Sequence, residues 1–243
     1  MKLAVCSGGQ LRMSDDILKL TTDLLKDAFP CADFYWPVWR EDYEKRHIVD
    51  TLGGTVEVFE EYDIDYHPYE DNRDAVNTPN FHKKLKNPNP DRHLHQTKQI
   101  LNHNTMMKKY LSGYDVIVRT RYDAIVSPVQ NFTQGLEMCY NDGSVVSYQA
   151  GSSGDNFMHH NDVIGETGSY MVSDGGLIFH RADVWDCDLV DRLHKTKKLL
   201  AAEFGWYQAL VSGDRDYYHF RGGAHLTRCV MKQHGDRIRE LMK

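Results

Sequence analysis

Three charged residues spaced two apart, Arg119, Arg121 and Asp123, stand at the centre of the segment YDVIVRTRYDAIVSP, Tyr114 to Pro128. They follow an apolar, β-branched run, Val116 to Val118, that has the character of a buried strand, and they precede a second apolar run, Ala124 to Val126. Alternate residues of a strand share one side, and ligands of open α/β sheets bind beyond the carboxyl ends of the strands. Two fixed cations beside one carboxylate therefore suit a phosphorylated ligand, with or without a metal. An Arg–Asp ion pair on an edge strand is the plainer use of the same residues.

A second candidate lies at the N-terminus. Ser7-Gly8-Gly9-Gln10-Leu11-Arg12 joins the apolar run Leu3 to Cys6 to a helix that Ser14 can cap, with Asp15 and Asp16 in its first turn. Strand, glycine loop and helix form a phosphate-binding layout in which backbone N–H groups approach the ligand and Arg12 reaches a diphosphate. The spacing is neither GxGxxG nor a Walker loop, and a tight strand-to-helix turn uses the same residues. Three carboxylates complete the chemical inventory. Asp155 sits in the loop Gly151 to Phe157, Asp174 precedes Gly175-Gly176 and the strand Leu177 to Phe179, and Glu203 lies near Trp206. Asp174 can serve as a general base, accept from a sugar hydroxyl, or cap a turn. Glu203 and Trp206 can hold a sugar or a base, although core packing is the safer reading of the indole.

The elements that position these residues alternate. A helix from Ile17 to Phe29 ends at Pro30, a strand covers Asp33 to Val38, a polar helix lies near Glu41 to Asp50, and Thr55 to Phe59 supplies another strand. From Glu60 to Asp91 the chain loses periodicity and carries Pro68, Pro79, Pro88 and Pro90, the mark of a long polar loop. A helix, about His95 to Leu111, turns Ile100, Leu101, Met107 and Leu111 inward and Lys98, Lys108 and Lys109 outward. Its neighbours His82, His93, His95 and His103 lack metal spacing and read as solvated or supporting groups. Later come a strand at Gly143 to Gln149, helices at Arg181 to Leu200 and Ala201 to Ser212, a strand at Asp216 to Phe220, and a basic helix from Leu226 to Met242. This order predicts one α/β domain, a mixed and mostly parallel sheet with helices on both faces.

Composition narrows the setting. A chain of 243 residues with 41% hydrophobic content can bury one sizeable core, and a net charge of −6 gives no reason to expect a general polyanion binder. The charge is unevenly spread, because His82 to Lys109 holds seven Lys or Arg against the single acid Asp91. Five scattered cysteines without CxxC spacing fit a reducing compartment, and no run approaches the roughly 18 apolar residues of a membrane span. A cytoplasmic protein is expected.

Four short anchors give the chain a resemblance to nucleotide-sugar glycosyltransferases of the GT-A fold, in the bacterial and bacteriophage group. They are the SGGQLR loop, the YDxxxRxRxD element from Tyr114 to Asp123, Asp155-Asn156-Phe157, and the GGLxF strand from Gly175 to Phe179. The resemblance implies transfer of a sugar from a nucleotide-diphosphate donor, a UDP-sugar being favoured, held by Ser7, Gly8, Gly9, Gln10, Arg12, Arg119, Arg121 and Asp123. It implies a divalent metal, Mn²⁺ or Mg²⁺, on Asp123 and His219. The usual DxD acid pair reads Arg121-Tyr122-Asp123 here, however, so the arginines are the alternative source of neutralising charge. Asp174, Asp155 and Glu203 are the candidate bases. The related phage enzymes imply an acceptor, the hydroxymethyl group of modified cytosine in duplex DNA, with Lys83, Lys84 and Lys86 on its phosphates and Trp206 beside the acceptor. A saccharide acceptor, a sugar-nucleotide nucleotidyltransferase and an inactive binding module on the same fold are the rival readings.

Overall fold

The computed structural model describes residues 1–45, 47–60, 90–150, 162–166, 172–199, 202–211 and 215–243. The polar loop predicted at 60–91 lies almost wholly outside these residues.

A continuous eight-stranded sheet runs in the order β3-β2-β1-β4-β8-β6-β9-β7. Its strands are β1 (Leu3–Gly8), β2 (Asp33–Trp39), β3 (Thr55–Phe59), β4 (Val116–Arg121), β6 (Val145–Gln149), β7 (Asp162–Glu166), β8 (Leu177–His180) and β9 (Tyr217–Arg221). β8 is antiparallel to both neighbours and β7 is antiparallel to β9, so the other six strands point one way. That is the mixed, mostly parallel sheet expected. A two-stranded ribbon of β5 (Ala124–Val126) and β10 (Ala224–Leu226) stands apart from it.

Strand alternation divides the core. Leu3, Val5, Val116, Val118 and Phe179 face α1 (Asp15–Ala28) and α4 (Thr133–Asp142), where Leu18, Leu25 and Cys139 cover them. Ala4, Cys6, Ile117 and Ile178 face the other way, onto Ile100, Leu101 and Met106 of α3 (Pro90–Met106) and Trp206 and Leu210 of α6 (Ala202–Leu210). Fully buried Phe179 and Phe220 contribute about 2–3 kcal/mol each through apolar burial.

Several predicted boundaries shift. The polar helix is α2 (Arg40–Lys45) followed by a 3-10 turn at His47–Thr51, and α3 begins at Pro90 and closes in a π-helical turn, Met107–Leu111. The helix predicted from Arg181 divides into a 3-10 turn, Ala182–Val184, and α5 (Cys187–Lys195), because Asp186 accepts from Leu189 N at 2.8 Å and starts a new helix. α4 and β7 were not predicted. α4 ends where Gly143, at φ 70°, donates to Cys139 O.

Lys98 corrects the predicted face of α3. It is 4% exposed, with Nζ 5.8 Å from the Trp39 ring, whereas Lys108 and Lys109 do reach the surface and pair with Asp191 and Glu57. The last helix, α7, spans Thr227–Leu241.

Candidate functional site

Parallel pairing sets Cys6 beside Arg119 and Gly8 beside Arg121, so the glycine loop and the charged strand end emerge side by side at the carboxyl edge of β1 and β4. Gly9 adopts φ 111°, a left-handed conformation that favours glycine, and packs against the Gln99 amide. The loop is anchored by Leu11, whose side chain is buried and whose N–H donates to Asp42 Oδ2 at 3.0 Å. Arg12 stays exposed and donates from Nε to Gln10 Oε1 at 2.5 Å, and Gln10 in turn lies 3.4 Å from the His95 ring nitrogens. Ser7 is buried within β1 on the face opposite Cys6 and Gly8, so its side chain is turned away from this edge.

Arg119 and Arg121 leave β4 on the same face and meet different surroundings. Arg119 is 2% exposed. It donates to Gln99 Oε1 at 2.7 Å and Asp174 O at 3.1 Å, and its guanidinium lies 4.2 Å from the Trp206 ring centroid. Burial pushes its pKa down to about 10, with the Asp174 charge opposing that shift. Arg121 lies nearer the surface and holds Asp123 in a two-point grip, Nε to Oδ1 at 2.7 Å and Nη2 to Oδ2 at 2.9 Å. Burial alone would lower its pKa, but the bond and charge of Asp123, with the charges of Asp174 and Glu203, hold it above the ordinary arginine value.

Three carboxylates thus act on one guanidinium. Asp174 Oδ2 lies 3.9 Å from Arg121 Nη1, and Glu203 approaches from α6. The Asp174 loop is fixed by Gln149 of β6, which accepts from Ser173 Oγ and from Gly175 N. Gly176 has no room for a side chain, since a Cβ there would lie 2.0 Å from Tyr148 O. Asp123 is positioned from its other end, because Thr227 donates to its carbonyl from N at 2.7 Å and from Oγ1 at 2.9 Å.

The remaining candidates lie elsewhere. Trp206 is 1% exposed and belongs to the core beneath Arg119, so the acceptor contact expected of it is not offered by a buried indole. His219 is three strands along the sheet from Arg119, where Ser147 Oγ lies 2.8 Å from its Nδ1. Burial, with the Arg221 charge, pushes its pKa down to about 4. Asp155, Lys83, Lys84 and Lys86 fall outside the described residues. His103, expected to be solvated or supporting, is not solvated: it is buried at 3% exposure among Trp185, Trp206 and His180.

Over the strand ends opens a cleft of about 340 Å³ lined by Gly9, Gln10, Arg12, Gln99, Arg121 and Asp123, and also by His95, Gln96, Leu226 and Arg228. His95, Gln96, Gln99, Leu226 and Arg228 were not among the expected site residues, and Arg228, exposed in the first turn of α7, is the added arginine. Its signal was the glycine pair Gly222-Gly223 ahead of a basic helix, which bends β10 back against β5 and brings that turn to the cleft. Three arginines against one carboxylate give the lining a net charge of +2 with His95 neutral. A larger hollow, about 450 Å³, lies at the start of α5 and is lined by Asp183, Asp186, Asp188 and Arg215. It shares no lining residue with the cleft over β1 and β4.

The divalent metal implied by the family resemblance does not fit the donors present. Both Asp123 oxygens are engaged by Arg121, His219 is separated from β4 by β8 and β6, and no group of three His, Cys, Asp or Glu among the described residues could hold an ion.

No protein-family profile matches the chain, and no curated protein does. Among solved structures the fold is shared with 4-diphosphocytidyl-2C-methyl-D-erythritol synthase from Anaerococcus prevotii, at TM-score 0.51 and 8% identity over 100% of this chain and 99% of that one. A nucleotidyl transferase from Methanothermobacter is similar at TM-score 0.49 and 11% identity, covering 99% of each chain. S. aureus TarS 1–349 in complex with UDP-GlcNAc is similar at TM-score 0.45 and 10% identity, covering 90% of this chain and 58% of that one. The sheet order and the first of these likenesses agree with the expected GT-A-like α/β fold.

Proposed function

We propose that the protein is a nucleotide-sugar-dependent glycosyltransferase whose donor diphosphate lies in the cleft over β1 and β4. The observation that carries this reading is the convergence of Arg12, Arg121 and Arg228 on a glycine-loop cleft at the carboxyl edge of the sheet. A diphosphate diester is complementary to that lining. As the anomeric C–O bond breaks, its electron pair leaves on the diphosphate, and fixed guanidinium groups stabilise the charge that develops. The acceptor oxygen forms the new bond and gives its proton to a carboxylate. Glu203 and Asp174 are the described candidates, Glu203 being the more accessible.

One observation favours sugar transfer over nucleotidyl transfer. A triphosphate site of this layout needs a lysine just beyond the loop, but Lys19 lies on the outer face of α1, paired with Asp23 at 2.5 Å. Among the described residues no lysine lines the cleft. The duplex-DNA acceptor loses part of its basis, since Lys98 is buried and Lys108 and Lys109 are paired with acids. Exposed Lys232 and Arg237 of α7 keep it as the second acceptor to test beside saccharides.

The test is a thermal-shift panel of UDP, GDP, CDP and their sugars, because a ligand that binds the folded state raises its apparent stability. Stabilisation by one nucleotide diphosphate and its sugar, followed by turnover of that sugar on hydroxyl acceptors, supports the proposal. Stabilisation by a nucleoside triphosphate, with pyrophosphate released from that triphosphate when a sugar phosphate is supplied, would assign nucleotidyl transfer instead.

A further inference from the structure

We infer that Arg121 occupies the place of the divalent ion, so that this site binds its donor diphosphate and releases it without a metal. The inference rests on the reading of the cleft as a diphosphate site. It comes from what the side chains around Arg121 already do.

A metal site of this type requires carboxylates that converge on one point with lone pairs to spare. Convergence is present here, since Asp123 and Asp174 both face one position. The group at that position is a guanidinium. It uses two N–H groups on the two oxygens of Asp123, and its Nη1 lies 3.9 Å from Asp174 Oδ2. A divalent ion seated on Asp123 would have to break a bidentate, partly buried ion pair and then sit beside the displaced cation. Repulsion would come from four directions. Arg12 and Arg228 line the same cleft, Arg119 lies two residues back along the strand, and the displaced Arg121 remains tethered nearby.

The arrangement also supplies what the metal would have supplied. Arg121 is fixed by Asp123 before any ligand arrives, so its charge needs no reorganisation as the leaving group departs. Because guanidinium donors form a planar fork, the N–H groups not engaged by Asp123 are suited to a phosphate oxygen. Asp123 is thus a positioning residue that orients Arg121.

Two measurements on the full chain test this. In the first, Mn²⁺ is titrated into the protein alone and followed by electron paramagnetic resonance. The expected result is the absence of a saturable site tighter than about 1 mM, and a tighter site abolished by Asp123→Asn would overturn the inference while leaving the diphosphate reading intact. In the second, calorimetry compares binding of UDP, GDP and CDP in EDTA and in Mn²⁺. The nucleotide that binds is expected to do so with the same dissociation constant within about twofold, and Arg121→Gln is expected to weaken it about tenfold or more in EDTA. Affinity raised about tenfold by Mn²⁺, or unchanged in Arg121→Gln with its melting temperature retained, would refute the inference. Failure of every nucleotide to bind under both conditions would remove the diphosphate reading, and the inference with it.

Discussion

Arg119 and Arg121 stand two residues apart on one face of one strand, and the structure assigns them opposite sensitivities. Replacing Arg119 with Met keeps a long apolar stem but leaves Gln99 Oε1 and Asp174 O without their buried donor, at about 1–3 kcal/mol each. Loss of the contact with the Trp206 face adds up to about 2 kcal/mol. Relief of the desolvation that pushes the Arg119 pKa down to about 10 offsets part of this. A net loss of about 2–4 kcal/mol in a domain of this size lowers the melting temperature by roughly 5–15 °C. Arg121→Gln should behave otherwise. Asp123, its partner, has a side chain 27% exposed that water can reach, so the loss of stability is smaller, about 1–2 kcal/mol. The diphosphate instead loses charge-assisted bonds of about 1.5–3 kcal/mol, or about 10- to 150-fold in affinity. Differential scanning fluorimetry and calorimetry with the nucleotide diphosphate that binds read the two axes independently. Equal falls in melting temperature for both variants, or weaker nucleotide binding in Arg119→Met with the melting temperature unchanged, would refute this division of labour.

Acid should destabilise the fold through its buried histidines. His180 donates from Nδ1 to Arg181 O, so in the neutral ring its Nε2 accepts from His103 Nε2 at 3.1 Å, a bond that protonation of His180 removes. Burial pushes His180 and His219 down to about 4 and His103 well below its ordinary value. With folded pKa values below the unfolded value of about 6.5, this stability is complete above about pH 6.5 and is lost as the pH falls toward 4, each group withdrawing up to about 1.4 kcal/mol per pH unit. Melting curves between pH 7.5 and 4.5 check the direction, and a flat profile would be the contrary result. Gly176→Ala should prevent β8 from seating beside Tyr148, yielding insoluble or poorly folded protein, whereas Gly113→Ala, with nothing within 4 Å, should be neutral. Arg228→Ala should weaken nucleotide diphosphate binding about three- to thirtyfold and make it less salt-sensitive, since one exposed cation is removed from the cleft; unchanged salt dependence would exclude it from the site.

How much of this was legible beforehand depends on the length scale of each signal. β-Branched runs and their breaks located β1 and β4, the glycine loop between β1 and α1 was plain, and alternation placed Arg119 and Arg121 on one side. The YDxxxRxRxD element nevertheless divides in two. Its first residues are structural, Tyr114 donating to Asp33 Oδ2 and Asp115 accepting from Lys2 N, and only its end reaches the cleft. Strand β7 and helix α4 were missed because short, polar stretches carry little periodicity.

What the amino-acid order decided by itself was local: which segments are strands, where the chain turns, and which side chains leave a strand together. What tertiary structure decided was the cover. Period two fixes the face of Arg119 but cannot say that Trp206, far along the chain, will close over it while the same face stays open at Arg121. Lys98 is buried for the same reason, because Trp39 and the sheet come to it from another part of the chain. Arg228 entered the site through the pairing of β10 with β5, a contact between residues about a hundred positions apart. Burial and charge depend on what packs from a distance, and that information resides in the assembled sheet and its helices.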